Sequence, residues 1–187
     1  MPLKKEHIPN LITVLRLSLV FLILPLLKFK FFIASGLLTA ASHIGDWLDG
    51  YLAKKWKAQS DLGKFLDPLA DKITVILIFV VFLDFRWIPL WILLIIIARE
   101  FYVTGIRGFF LSVYQESLAA RTWGRSKMVS QAIVQIYIML GHGFVDETKD
   151  IPFQNWGYAI ILALALISGA EYTWLAIKKY RGINGGS

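Results

Sequence analysis

Hydrophobic residues in this chain come in long, nearly unbroken runs, among them Leu11 to Leu27, Ile73 to Leu83 and Trp87 to Ala98. Such runs fit spans through a bilayer better than faces packed round one aqueous core, which would be interleaved with polar positions. At roughly 20 apolar residues per helical crossing, the pattern predicts six segments: 10–28, 31–54, 62–83, 87–108, 125–142 and 153–177. Polar breaks separate them at Lys28 to Lys30, Lys55 to Asp61, Asp84 to Arg86, Phe109 to Gly124 and His142 to Pro152. The first run contains Arg16 and lacks an A-x-A cleavage pattern behind it, so it reads as a retained helix and not a signal peptide. Asn10, after Pro9, reads as a helix cap. The expectation is an all-α integral membrane six-helix bundle, one domain over 1–182 with 183–187 as a flexible tail.

Composition strengthens this. Of the 187 residues 57% are hydrophobic and 18% charged, against about 45–50% and about 25% in soluble domains. Orientation follows from where Lys and Arg fall. With the N-terminus inside, the outer loops hold only Lys28, Lys30, Arg86 and Lys149 of the 20 basic residues, balanced by Asp84, Asp146, Glu147 and Asp150. The whole surplus of +7 then lies on or towards the cytoplasmic side, with both termini there. Trp87, Trp91 and Trp156 fall near outer helix ends and Trp123 and Trp174 near inner ends, as interfacial anchors do, although lipid-facing packing accounts for each singly. The absence of cysteine excludes disulfides, thiolate metal sites and a cysteine nucleophile.

Segments two and three break the hydropathy rule. Ile73 to Leu83 is 11 residues, about 16 Å of helix and about half the hydrocarbon thickness. To cross, segment three must start near Leu62 or Gly63, which carries Asp67 and Asp71 to membrane depth, and segment two likewise needs the turns bearing Asp46 and Asp49. Asp46 and Asp49 are i, i+3 and Asp67 and Asp71 are i, i+4, so each pair shares a helix face. Four converging carboxylates repel unless protonated or bound to cations. Oxygen-only donors suit Mg²⁺ or Mn²⁺, two such ions would cancel the four charges, and a two-metal centre stabilises attack and departure at phosphorus. The bland alternative, caps or partners for Lys54, Lys55, Lys64 and Lys72, suits Asp61 and fits four in-register acids poorly.

Read together, Asp46-x-x-Asp49-Gly50-x-x-Ala53-Lys54, eight further residues, and Gly63-x-x-x-Asp67-x-x-x-Asp71 resemble the signature of the CDP-alcohol phosphotransferases. Lys54 departs from the arginine most frequent there; it keeps the charge and loses the bidentate fork. Ile8-Pro9-Asn10, Thr13, Arg16, Ala98-Arg99-Glu100, Gly105-Ile106-Arg107 and Gly124-Arg125-Ser126-Lys127 ahead of Gln131 resemble the phosphatidylglycerophosphate synthase branch of that family. The resemblance implies a homodimeric six-helix membrane enzyme with its metal site at the cytoplasmic ends of helices two and three. It would transfer the phosphatidyl group of CDP-diacylglycerol to the 1-hydroxyl of sn-glycerol 3-phosphate and release CMP, with membrane lipid and no nucleic acid among its partners. Carried over by position, Asp46, Asp49, Asp67 and Asp71 hold two Mg²⁺ or Mn²⁺ ions and Asp71 is the base for the acceptor hydroxyl. Gly50, Ala53, Lys54 and Gly63 line the cytidine diphosphate site.

The acceptor's own phosphate needs a cationic pocket. Arg99, Arg107, Arg121, Arg125 and Lys127 are the inner-side candidates, with Arg107 and Lys127 preferred. Arg121 and Arg125 read more simply as positive-inside loop charges, and Arg99 has an alternative as a partner of Glu100. Two rivals stay open: the same chemistry with another acceptor, such as inositol phosphate or serine, and a divalent-cation transporter using the aspartates as an ion site.

Overall fold

Among the described residues there are six helices and no strand: α1 Ile8–Lys28, α2 Phe32–Trp56, α3 Asp61–Asp84, α4 Leu90–Tyr114, α5 Thr122–His142 and α6 Gln154–Asn184. The computed structural model describes the backbone of residues 8–56, 61–115, 118, 122–146 and 148–184, and side chains over 18–45, 72–115, 118, 123–146 and 148–181. The six predicted segments are all helices, with shifted ends. α1 opens at Ile8, which puts Pro9 and Asn10 in its first turn and not at a cap; proline is at home there because its missing N–H has no helical acceptor. α4 starts after Pro89 and runs six residues past the expected 108, through the aromatic stretch Phe109 to Tyr114. It stops at Gln115, which turns left-handed at φ 51° while its N–H donates to the Phe110 carbonyl. α6 continues through Lys178 to Arg181, where charge ends the apolar run without ending the helix.

The helices sort into two compact units. The first comprises Met1–Trp87 with Ala132–Pro152, so it takes α1, α2, α3 and the second half of α5. In it α1 packs on both α2 and α3. Its core is Val20, Ile23 and Leu27 of α1, Ile78, Phe79 and Phe82 of α3, and Ile138 and Met139 of α5. Polar residues enter this core by bonding to backbone, as they must in apolar helices. The Ser35 hydroxyl donates to the Phe31 carbonyl at 2.9 Å and Thr39 to the Ser35 carbonyl at 2.8 Å. The Gln135 amide donates to the Val75 carbonyl of α3 at 2.8 Å. Gly36 lets α2 and α5 approach: a Cβ there would stand 2.9 Å from Leu140 Cδ2.

α1 and α3 end alike. The N–H of Phe31 reaches the Leu26 carbonyl at 2.9 Å and that of Trp87 the Phe82 carbonyl at 2.8 Å. Lys30 and Arg86 between them are left-handed, at φ 66° and 61°, which gives two Schellman closures without glycine. Trp87 corrects the expectation of an interfacial or lipid-facing anchor, because it is buried. The second closure turns it inward, where its ring stacks on His142 at 3.8 Å and 5° and also meets Phe32, Phe82 and Phe85. Trp91, Trp123, Trp156 and Trp174 are exposed as expected.

The second unit comprises Ile88–Gln131 with Phe153–Ser187. Here α4 packs on α6. Ile92, Leu93, Ile96, Val103 and Phe110 are buried on α4, and Tyr158, Ile161, Ala165 and Tyr172 on α6. Leu118 joins Val103, Phe110 and Tyr172. Among the described residues one helix, Gln154–Arg181, is both long and apolar enough to cross a membrane, and Ser18–Lys28 and Phe32–Gly45 are shorter apolar stretches. Phe21, Phe29, Phe101, Phe144, Phe153 and Trp156 are each at least 70% exposed.

Candidate functional site

α2 runs unbroken through Asp46, Asp49, Gly50, Ala53 and Lys54, and α3 through Gly63, Asp67 and Asp71. The side chains of all eight lie outside the described residues. Continuous helix is what the i, i+3 and i, i+4 spacings require for each aspartate pair to occupy one face. The four donors are all oxygen and the chain has no thiol, a set that fits Mg²⁺ or Mn²⁺ and not a thiolate metal. Among the described residues no group of three or more His, Asp or Glu could hold a metal ion.

The predicted cations fall in the second unit. Lys127, on the first half of α5, is only 2% exposed and is ion-paired with Glu100 of α4. The same Glu100 oxygen lies 3.4 Å from an Arg99 nitrogen. A second Arg99 nitrogen donates to the Ser168 hydroxyl of α6 at 2.8 Å, and that hydroxyl donates to the Leu164 carbonyl at 2.6 Å. Arg99 therefore takes the Glu100 partnership weighed as its alternative role, and Lys127 shares it. Arg107 and Arg125 stand exposed and take no part in this cluster among the described residues, and Arg121 lies outside them.

Two residues named in the sequence reading were given no site role there. Glu100 was seen as a neighbour of Arg99 and not as the joint partner of two cations. Gln131 is buried one turn beyond Lys127, on the same face of α5. Its signal was a polar residue four positions from a lysine, on one face of the helix.

Two clefts are described, both in the first unit. One, of about 620 Å³, is lined by Phe31, Phe32, Ile33, Leu37 and His142 among others, and the other, of about 410 Å³, by Asp84, Arg86, Trp87 and Lys149 among others. Both lie at the ends of α2 and α3 away from the aspartates. Phe32 and Asp46, for instance, are separated by about 21 Å of helix. Neither cleft holds a predicted site residue.

The chain was compared with known proteins. It is 33% identical over 190 residues to the CDP-diacylglycerol–glycerol-3-phosphate 3-phosphatidyltransferase of Bacillus subtilis (strain 168), covering 92% of this chain and 97% of that protein. Proteins of the same description from Rickettsia bellii (strain RML369-C) and Pseudomonas fluorescens are each 32% identical over 94% of this chain, and over 97% and 89% of their own lengths. The model of the CDP-alcohol phosphatidyltransferase family matches residues 6–170, a stretch that takes in the aspartate helices and the Glu100 cluster alike, and the chain belongs to that family.

Proposed function

We propose that this chain transfers the phosphatidyl group of CDP-diacylglycerol to sn-glycerol 3-phosphate, giving phosphatidylglycerol phosphate and CMP. The observation that carries the reading is near-full-length similarity to relatives described by that activity, joined to unbroken helices through the four aspartates. Residues 1–182 act as one catalytic domain of a homodimer in the cytoplasmic membrane, with both termini and the active site inside. The exposed aromatic and aliphatic exterior supports that placement, since a water-facing monomer rarely shows so much.

In this reading Asp46, Asp49, Asp67 and Asp71 hold two Mg²⁺ or Mn²⁺ ions. Ions held by these carboxylates would supply positive charge against the pyrophosphate oxygens and the departing CMP oxygen. Asp71 takes the proton of the glycerol hydroxyl as its oxygen bonds to phosphorus and the bond from phosphorus to CMP breaks. Gly50, Ala53 and Gly63 leave room for cytidine diphosphate against the helix backbone, and Lys54 supplies one cation to it. The acceptor's phosphate is assigned to Lys127 and Arg99, with Arg107, Arg125 and Arg121 as the other inner-side candidates.

The test is CMP release by the purified protein with CDP-diacylglycerol and a panel of acceptors, with and without chelator. Release should require Mg²⁺ or Mn²⁺ and proceed with glycerol 3-phosphate. Release with inositol phosphate and none with glycerol 3-phosphate would overturn the acceptor, and release untouched by chelation would overturn the metal.

A further inference from the structure

α6 is longer than a crossing needs. Its stretch that is apolar enough to cross a membrane, Gln154–Arg181, has 28 residues, about 42 Å of helix against a hydrocarbon core of about 30 Å. About eight residues of helix therefore lie beyond the core. Charge decides which end they occupy, because Lys178, Lys179 and Arg181 close the stretch and are costly inside hydrocarbon. The overhang is Trp174–Arg181. Within it Trp174, Ile177, Lys178 and Arg181 recur at i, i+3, i+4 and i+7 and so share one face, and all four are exposed. On the other side of the helix Tyr172 and Ala176 pack with Val103 and Phe110 of α4. The Lys178 ammonium stands over the Trp174 ring, 5.3 Å from its centroid. Among the described residues neither Lys178 nor Arg181 pairs with an acid.

We propose that this face of α6 is a binding site for an anionic phospholipid. The lipid phosphate sits between Lys178 and Arg181, which are one turn apart, and the glycerol and upper chains lie against Trp174 and Ile177. The indole holds the Lys178 ammonium by its π face and belongs at the boundary between chains and headgroups. A soluble anion would use the cations and gain nothing from Trp174 and Ile177, so the face fits a lipid. A zwitterionic headgroup brings an ammonium that the two cations repel, so the face discriminates by charge. The product of the transfer proposed above is itself an anionic phospholipid, and this site gives lipids of that class a place on residues other than those assigned to the reaction. The proposal rests on the membrane placement given above and is independent of the reaction.

The test titrates the full chain, purified in detergent, with dioleoylphosphatidylglycerol or dioleoylphosphatidylcholine and follows bound lipid by native mass spectrometry. The parent should bind phosphatidylglycerol about 25-fold more tightly than phosphatidylcholine, about fivefold for each cation. The double variant Lys178→Gln/Arg181→Gln should lose most of that preference, with phosphatidylcholine binding and CMP release as in the parent. A variant that keeps the full preference overturns the proposal, as does a parent that shows none. Displacement of the bound lipid by millimolar inorganic phosphate overturns it too, because the cations would then serve a soluble anion. A fall in CMP release with lipid binding intact would place these cations in the reaction and overturn the separate site. Should the double variant fail to fold, Lys178→Gln alone carries the test and should lose about fivefold. The two readings fail separately. Release of the protein from membranes by alkaline carbonate removes the membrane placement, whereas an unchanged lipid preference in a protein that carbonate leaves in the membrane removes only this site.

Discussion

The two units bury polar groups in opposite ways. In the first, Ser35, Thr39 and Gln135 are neutral and each donates to a helix carbonyl. In the second, Arg99, Glu100 and Lys127 are charged, and Glu100 pairs with both cations. Neutral groups satisfied by helix carbonyls cost little, which suits a scaffold for the α2 and α3 helices. A buried charged group is expensive unless its members pair well, and breaking it is strongly destabilising. The comparison separates the two units: the first carries the helices of the four aspartates, and the second the buried ion-pair cluster of Glu100.

Breaking that division should give effects of descending size. Asp71→Asn should lower kcat by about a hundredfold or more, the usual loss with a general base, in a protein that stays folded in detergent; near-normal CMP release would place the base elsewhere. Next comes stability. Glu100→Gln removes the carboxylate that Lys127 and Arg99 share and should cost about 3–5 kcal/mol. Thermal unfolding of the purified variant decides it, and a loss under about 1 kcal/mol would mean that the buried pairing contributes little. In the first unit, Gly36→Leu should cost about 1–3 kcal/mol by wedging α2 from α5. Gln135→Leu should stay within about 1 kcal/mol, since it removes a buried amide oxygen that itself has no partner.

The smallest effect lies in the loop before α6. Asp146 accepts hydrogen bonds from the Thr148 backbone N–H at 3.1 Å and the Thr148 hydroxyl at 3.0 Å, and these hold its carboxyl below the usual range, with the charges of Lys149 and Lys30 adding to them. A lowered folded-state value means that its contribution is complete above the unfolded value of about 3.9 and fades as pH falls through the folded one. Thr148→Val should move the Asp146 midpoint upward in a carbon-13 NMR titration; no movement would leave the hydroxyl without a role.

Much of this was legible in the sequence. Hydropathy placed six helices because each has an apolar run of its own, and i, i+3 and i, i+4 arithmetic placed the aspartates on faces of helices that do run through them. Helix ends were less legible, because a charge closes an apolar run without closing a helix, as at Lys178 to Arg181. Trp87 was misread because its burial depends on a turn after α3 and on His142, 55 positions away. The pairing of Lys127 with Glu100 joins two helices and has no periodicity to betray it; only Arg99, its chain neighbour, suggested itself as a partner.

The two closures at Lys30 and Arg86 have a practical side. A side chain held left-handed costs about 1 kcal/mol or more, and glycine carries no such cost. A protein that must survive purification has little stability to spare. Glycine at positions 30 and 86 keeps both closing hydrogen bonds and leaves the aspartate helices and the Glu100 cluster untouched, so a hardened variant for structural work is best sought at these two turns.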